Sequence, residues 1–376
     1  MNVKELLINT IEHKFVEKIP TMYRGDPGMN EKLINYFHLN NIENDWEELI
    51  HKLGADNFSD GETLGAFTTY FPKYIGPDFN TILEQNHFFI WGIKPIEVEV
   101  SGTTHIVFHR NPPLYSFDDV GDILNYNWPK LEWFDFSTYK LATDAVHQSL
   151  NEQKEVKVRD LRKSNKYFLN TYCMNSIFMT SIFIRGIDKM MMDLVSNKKY
   201  AEMLIGHIGD FMVEFCNKNL ASIGKVIDLY GIWDDFATQE GLMISADTWR
   251  KFYKPWDKKI IEIAKKYNLY VCFHICGNCI DIIPDFIEMG VDILDPVQVS
   301  AKNMEIERLK KLFGNYISFH GGIDAQKLIP LSSPDDIRAE VSRVKNLFGN
   351  EGGIIIGPSH YITVDTPIEN VLAIYN

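Results

Sequence analysis

The chain has few cysteines and no long hydrophobic run. Only five of its 376 residues are cysteines, and Cys272, Cys276 and Cys279 lie close together. Such an odd, sparse set argues against a disulfide framework and favours a reducing cytoplasm. No apolar run approaches the roughly 20 residues that span a bilayer, so we expect no transmembrane helix. Residues 1–11 lack the apolar core and cleavage site of a signal peptide. We therefore expect a cytoplasmic protein.

Positive charge is also in short supply. The sequence has 38 lysines and arginines against 51 aspartates and glutamates, which gives a net charge of −13. An acidic surface of this kind disfavours nucleic acid and anionic membranes as partners. The hydrophobic share of 45% is ordinary for a globular protein and is ample for a large core.

No internal repeat or low-complexity linker divides the chain, so we predict a single domain over residues 1–376. Short apolar runs predict strands at residues 19–23, 55–58, 168–171, 226–230, 269–274, 291–294, 316–319 and 353–356. Strands that alternate with helical patterns in this way are typical of an α/β fold, the (β/α)8 TIM barrel. The competing architecture is a doubly wound sheet. That fold would normally offer a G-x-G-x-x-G sequence after a strand, and none follows a strand here.

One region does not fit a plain barrel. Residues 88–91, 96–100 and 103–108 have the composition of strands, and Ser101-Gly102 has that of a turn. We predict that residues 88–108 form an inserted β-hairpin region that covers or extends the mouth of the barrel.

The triplet His274-Ile275-Cys276 ends a dense apolar run and precedes Gly277. Residues two apart on a strand point to the same side, so the imidazole and the thiol are delivered together. Together they make half of a zinc site with borderline and soft ligands. The alternative is a buried cysteine beside a polar loop histidine.

Polar, ionisable and glycine-rich residues follow the predicted strands. They include Arg24, residues 59–62, Cys173, Asp234, Asp235, Gln239, His274, Cys276, residues 295–298, His320 and His360. In barrel enzymes the carboxyl ends of the strands carry the active site. A purely structural protein has no reason to concentrate such groups there.

Several short motifs occur in order along the chain: residues 74–77 (YIGP), 184–186 (IRG), 234–239 (DDFATQ), 273–278 (FHICGN), 320–324 (HGGID), 357–360 (GPSH) and 365–370 (DTPIEN). In this order and spacing they resemble the uroporphyrinogen decarboxylase superfamily, and within it the cobalamin-dependent methyltransferase branch. The resemblance runs nearly end to end. It implies a (β/α)8 barrel.

The loop after the first strand favours the methyltransferase branch. Porphyrinogen decarboxylases carry an arginine-rich loop there, whereas residues 23–27 of this chain hold Arg24 and the carboxylate of Asp26. An octa-acid substrate would need several cationic partners in a desolvated pocket. The decarboxylase branch also lacks the His-x-Cys sequence at the fifth strand, which the methyltransferases have.

The resemblance implies that His274 and Cys276 are zinc ligands and that a later residue completes the set. Methyltransferases of the branch have a cysteine at that later place, but this chain has His360, which can also ligate zinc. His360 also aligns with a functional histidine of the decarboxylases, so the alternative is a hydrogen bond to substrate. Should His360 not bind the metal, Asp235, Glu240 or Asp324 offers a carboxylate. Cys279 would extend the motif, but its place at a helix start favours simple burial.

Five further residues are site candidates. Asp234 and Asp235 are predicted to be catalytic, since paired carboxylates past a strand end can orient a ligand histidine or take a proton. Their alternative is loop and helix capping. His320 precedes two glycines at a strand end and is the third catalytic candidate. Arg24 and Gln239 are predicted to bind substrate, with a structural ion pair and a surface loop position as the respective alternatives.

The resemblance to the O-demethylase subgroup, which the Ser-His sequence at 359–360 supports, implies a function. We expect a zinc-dependent methyltransferase that moves a methyl group between a small methylated substrate and a corrinoid such as methylcobalamin. The chain has no separate corrinoid-binding region, so we expect a partner protein to carry the corrinoid. One alternative is metal-independent decarboxylation of a porphyrinogen-like acid. Another is a non-catalytic barrel that only binds a corrinoid protein.

Overall fold

The computed structural model describes residues 1–40, 42–56, 69–77, 87–94, 96–100, 103–107, 111–142, 155–157, 168, 170–172 and 176–376. The strands are β1 (Thr69–Tyr74), β2 (Ile96–Val100), β3 (Thr103–Val107), β4 (Phe134–Ala142), β5 (Glu155–Lys157), β6 (Asn170–Tyr172), β7 (Leu229–Trp233), β8 (Tyr270–His274), β9 (Ile293–Val297), β10 (Ser318–Ile323) and β11 (Ile354–Pro358). Residues 59–62, Cys173 and the Ser101-Gly102 turn, all named above, lie outside the described residues.

The helices lie mostly between and after the barrel strands. They are α1 (Val3–Ile11), α2 (Pro27–Tyr36), α3 (Ile42–Leu53), α4 (Val120–Leu124), α5 (Ile177–Arg185), α6 (Ile187–Ser196), α7 (Lys198–Ile223), α8 (Ala246–Phe252), α9 (Lys254–Lys266), α10 (Ile283–Met289), α11 (Ile306–Phe313), α12 (Leu328–Leu331), α13 (Pro334–Phe348) and α14 (Ile368–Tyr375). Helix α13 shows how the sequence sets a helix start: Ser333 and Asp336 form a capping box around Pro334. In the described part of the chain, no helix is both long enough and apolar enough to cross a membrane.

The main sheet is parallel and confirms the predicted α/β class. Its strand order is β11-β10-β9-β8-β7-β6. The first predicted strand continues it beyond β11, because Thr21 bridges Ile356 in parallel. The backbone N–H of Asp56 then donates to the carbonyl of Thr21 at 2.8 Å, which adds the second predicted strand. The described residues thus follow a TIM-barrel-like sheet from Asn170 around to Asp56, and residues 57 and 58 lie outside them.

Alternation along these strands separates an inner face from an outer face. The inner face starts with an apolar cluster made by Leu7, Ile11, Met22, Phe168, Leu229, Cys272, Ile293 and Ile355. Helix α1 contributes the first two of these side chains and closes the amino-terminal end of the barrel. The neighbours on the outer face, such as Tyr230, Leu294 and Phe319, belong to the larger core that packs under the helices.

The next inward positions on the same strands are polar or glycine. Two residues beyond Leu229, Cys272, Ile293 and Ile355 come Gly231, His274, Asp295 and Gly357. Because side chains on a strand alternate between faces, these residues also point into the barrel, one step nearer its carboxyl end. The interior therefore changes from an apolar floor to a polar layer.

Two antiparallel elements lie outside the parallel sheet. Strands β2 and β3 pair as a hairpin, with Ile96 opposite Val107 and Val100 opposite Thr103. Strands β1, β4 and β5 form a separate antiparallel sheet that the sequence did not predict. The prediction of a strand at residues 88–91 is wrong, since His87–Trp91 is a 3₁₀ helix. Its aromatic and β-branched composition reflects burial, because Ile90 and Trp91 lie in the core. That residues 1–376 form one domain stays a prediction.

Candidate metal centre

Asp235, His274 and Cys276 come together at the carboxyl ends of β7 and β8. Their ligand-type atoms all lie within 4.8 Å of one another, and each residue is half-buried. The Sγ of Cys276 is 3.6 Å from Nε2 of His274. The backbone N–H of Cys276 donates to Oδ1 of Asp235 at 2.8 Å. Among the described residues, this is the group of histidine, cysteine and acidic side chains that could hold a metal ion.

The donor set fits zinc. Imidazole nitrogen, thiolate sulfur and carboxylate oxygen are the three donor types that zinc binds in proteins, at about 2.0–2.3 Å. Catalytic zinc sites use three protein ligands and leave one position open for water or substrate. Three donors that lie this close together, half-open to solvent, meet both conditions.

Gly277 allows the two loops of the centre to meet. Its φ is +102°, and a Cβ there would lie 2.6 Å from the carbonyl oxygen of Thr238. The next residue, Asn278, donates its backbone N–H to that same carbonyl at 2.8 Å. Only glycine takes this conformation and approach without strain, so the turn after Cys276 packs directly on the loop that carries Asp235.

The imidazole of His274 is oriented by Asp295. The Nδ1 atom of His274 lies 2.5 Å from Oδ2 of Asp295, which is fully buried. A carboxylate only accepts hydrogen bonds, so the contact assigns the proton of His274 to Nδ1 and leaves Nε2 toward Cys276. The other oxygen of Asp295 contacts Nδ1 of His320. The sequence analysis placed Asp295 at a strand end but gave it no role, and its pairing with His274 in register is seen only in the structure.

The pKa values of Asp295 and His274 depend on these contacts. Burial alone would raise the pKa of Asp295, but the imidazoles of His320 and His274 outweigh it and hold that pKa far below its ordinary value. Burial would lower the pKa of His274, yet the charge and hydrogen bond of Asp295 raise it well above its ordinary value. The buried carboxylate of Asp295 thus has a hydrogen-bond partner on each oxygen, which is how a charged group persists inside a barrel.

His360 lies near the centre but is not a member of the group of three. Its side chain reaches solvent. The surrounding protein nevertheless lowers its pKa, first through burial and then through the positive charges of Arg24 and His274. Burial and these charges favour the neutral imidazole. The geometry puts Asp235 in the place that the sequence assigned to His360, and metal binding by His360 stays a prediction.

Asp234 has a structural task. Its carboxylate accepts hydrogen bonds from the backbone N–H groups of Phe178 at 2.7 Å and Met179 at 2.9 Å, and from the hydroxyl of Ser176 at 3.2 Å. It thus caps the start of α5 from a neighbouring strand end. Capping was the alternative that the sequence left open for the catalytic assignment of Asp234.

We expect the burial of this carboxyl group to make stability depend on pH. Burial raises the pKa of Asp234 to about 7 against the opposing effect of its backbone donors. A carboxyl with a raised pKa stabilises the fold fully below its ordinary pKa, and this contribution is lost as the pH rises to about 7. The Asp234→Asn variant lacks it. Relative to wild type, the free energy of unfolding of the variant should therefore rise between pH 5 and pH 8, by up to about 3 kcal/mol. Urea unfolding at both pH values measures this, and a pH-independent difference would contradict it.

The two residues predicted to bind substrate border the centre. The guanidinium of Arg24 is buried and lies 4.2 Å from the centroid of the Tyr361 ring. The side-chain amide of Gln239 donates to Oε1 of Gln298 at 3.0 Å. Both positions lie in loops that follow barrel strands, and substrate binding by either residue stays a prediction.

The other ligand candidates lie outside the group of three. Glu240 is exposed and pairs with Lys302 at 3.2 Å. Asp324 accepts the backbone N–H of Gln326 at 2.9 Å. Cys279 is fully buried, and burial raises the pKa of its thiol to about 12. This agrees with the interpretation of Cys279 as a packing residue.

Trp233 lies on β7 next to the candidate ligand His274. It pairs in register with His274, and it follows Leu229 and Gly231 on the inward face of β7. Its half-buried ring therefore points into the barrel at the level of His274. Alternation along the strand was the sequence signal that could have identified this position.

Comparisons with known proteins identify the family of the chain. The family model described as uroporphyrinogen decarboxylase (URO-D) matches residues 173–376, more than half of the chain. Methylcobamide:CoM methyltransferase MtbA of Methanosarcina mazei is 23% identical over 160 residues, which are 42% of this chain and 43% of that protein. MtbA of Methanosarcina acetivorans is 22% identical over 188 residues, 49% of this chain and 50% of that protein. The chain thus spans half or less of the length of these relatives.

The fold has a solved counterpart. A methyltransferase from Methanosarcina mazei superposes with a TM-score of 0.61 at 16% identity, over 100% of this chain and 97% of that one. An identity this low shows a shared fold and no more. The family match, which includes β7 to β11 and all three residues of the candidate metal centre, decides the assignment. The chain belongs to the uroporphyrinogen decarboxylase (URO-D) family.

Proposed function

We propose that this protein is a zinc-dependent methyltransferase. It moves a methyl group between a small methylated substrate, of the methyl ether or thiol type, and a corrinoid that a partner protein holds. The observation that carries the proposal is the group of Asp235, His274 and Cys276 at the carboxyl ends of the barrel strands. The names of the MtbA relatives, which describe methyl transfer between a methylcobamide and CoM, support the reaction class.

Zinc, when bound, would supply a Lewis acid to the oxygen or sulfur that carries or receives the methyl group. A methyl group on oxygen is hard to remove because the leaving alkoxide is basic, so the reaction has a use for such a centre. Decarboxylation of a poly-acid would instead need several cationic side chains. The centre itself contains the carboxylate of Asp235, and the loop after the first strand offers one arginine, Arg24, with Asp26 two residues away. This arrangement suits a poly-acid poorly.

The side chains of this protein have distinct tasks in the proposal. Asp235, His274 and Cys276 hold the metal, and Asp295 fixes the ring of His274 at 2.5 Å. Trp233 covers one side of the centre with an apolar ring and keeps water from it. His360, kept neutral, can hydrogen-bond to substrate beside the centre. Asp234 holds the start of α5 in place and takes no part in the chemistry.

The test is a transfer assay with zinc-loaded protein. We would mix it with cob(I)alamin and a panel of methyl ethers and methyl thioethers, and follow the absorbance change as methylcobalamin forms. The reverse direction uses methylcobalamin with thiol acceptors. We expect transfer with at least one substrate, and its loss when a chelator strips the zinc. Uroporphyrinogen is run in parallel, and zinc-independent decarboxylation of it would refute the proposal.

A further inference from the structure

We infer that Asp295 and His320 act as one positioning unit for the metal ligand His274. This inference rests on the proposed metal site and deepens it. It also changes the role of His320, which the sequence predicts to be catalytic, into that of a positioning residue that acts through Asp295.

The unit crosses three neighbouring strands of the barrel. His274 ends β8, Asp295 lies on β9 and His320 on β10, and adjacent strands pair in parallel. Each oxygen of the Asp295 carboxylate contacts Nδ1 of one histidine, Oδ2 with His274 and Oδ1 with His320. Asp295 is fully buried and His320 is 4% exposed. The carboxylate is thus held between two imidazoles.

The shared carboxylate fixes both rings. Because it accepts from both Nδ1 atoms, each histidine has its proton on Nδ1. For His274 this leaves Nε2, the atom nearest Cys276, as the metal donor. A carboxylate behind a ligand histidine orients the ring and strengthens it as a donor.

His320 is itself fixed from the far side. A Cβ on Gly357 would lie 3.2 Å from Nε2 of His320 and 2.9 Å from the carbonyl oxygen of Met22. The ring therefore fills the space beside Gly357 in β11, between that strand and Asp295. Since His320 does not belong to the group of three, its influence on a metal must pass through Asp295.

The test compares zinc affinity among variants by competition with a chromophoric chelator. Asp295→Asn should weaken zinc binding by about 10- to 100-fold, the usual effect of losing such a partner. His320→Leu, which removes the donor, should weaken it by a smaller factor. His320→Asn, which places an amide N–H near the former Nδ1, should restore most of the affinity. The Asp295→Asn/His320→Leu double variant should bind zinc as Asp295→Asn does, because residues that act in series are not additive.

A second readout separates positioning from general damage. Cobalt(II) loaded in place of zinc should show a shifted visible absorption spectrum in Asp295→Asn. The control is Asp193→Asn. It removes a buried carboxylate of α6 that pairs with Arg185 of α5 at 2.7 Å. It should lower stability and leave zinc affinity and the cobalt spectrum unchanged.

Two results would overturn the inference while the proposed function stands. One is wild-type zinc affinity in Asp295→Asn. The other is a double variant whose fold-loss of zinc affinity equals the product of the two single fold-losses, since His320 would then act independently. A wild-type protein that binds no zinc would instead overturn the proposed function, and the positioning role with it.

Discussion

Replacing Cys276 with alanine should remove zinc from the protein. The thiolate is one of three donors within 4.8 Å of one another, so the variant keeps two ligands and an incomplete site. We expect zinc affinity to fall by more than about 100-fold, beyond the 10- to 100-fold typical of an outer-shell partner. Methyl transfer should be lost with the metal. Elemental analysis after dialysis against a weak chelator measures the effect.

Cys272 is the matched control for this variant. It lies on β8, the strand that leads to Cys276, but four residues earlier, in the apolar cluster at the floor of the barrel. The Cys272→Ala variant should keep about one zinc per chain and lose only the packing of one sulfur atom. Equal zinc content in the two variants, whether high or low, would contradict the assignment of Cys276.

Replacing Asp235 should show whether Asp235 or His360 is the third metal ligand. Its carboxylate belongs to the group with His274 and Cys276, whereas His360 lies outside it. We expect Asp235→Ala to lose zinc by a factor similar to that of Cys276→Ala. His360→Ala should keep zinc, and its methyl transfer should fall because the proposed hydrogen bond to substrate is gone.

Asp234→Ala serves as the control for Asp235. It removes the neighbouring carboxylate, which caps α5 through Phe178 and Met179. Loss of a cap costs about 1–2 kcal/mol of stability, and zinc should remain. Zinc loss in His360→Ala together with full zinc in Asp235→Ala would restore the ligand set that the sequence predicted.

The sequence was sufficient to predict the barrel because the strands of a parallel sheet are buried on both faces. Each predicted barrel strand from residue 226 onward has its counterpart in β7 to β11. The predicted strands begin one to three residues before β7 to β11 do. At the carboxyl ends the strands continue through residues such as Gly231, Asp295 and Gly321, whose types disfavour strands. Those ends point into the polar layer of the site, so function overrides propensity there.

The proximity of His274 and Cys276 was predictable, because the two residues are two positions apart in the sequence. Contacts between residues of different strands were harder to predict. Asp234 and Asp235 are adjacent in sequence, yet one caps α5 and the other lies beside the candidate ligands His274 and Cys276. Asp295 supports His274 across a strand pair, and only the register of β8 with β9 reveals this. Such relations depend on tertiary contacts that a single sequence does not contain.

The most direct test of the metal centre is anomalous diffraction at the zinc edge from crystals grown with zinc. The account predicts one strong peak per chain, about 2.0–2.3 Å from a carboxylate oxygen of Asp235, Nε2 of His274 and Sγ of Cys276. A crystal of Cys276→Ala grown in the same way should show no peak there. A wild-type peak bound by other residues, or no peak at this place, would contradict the account.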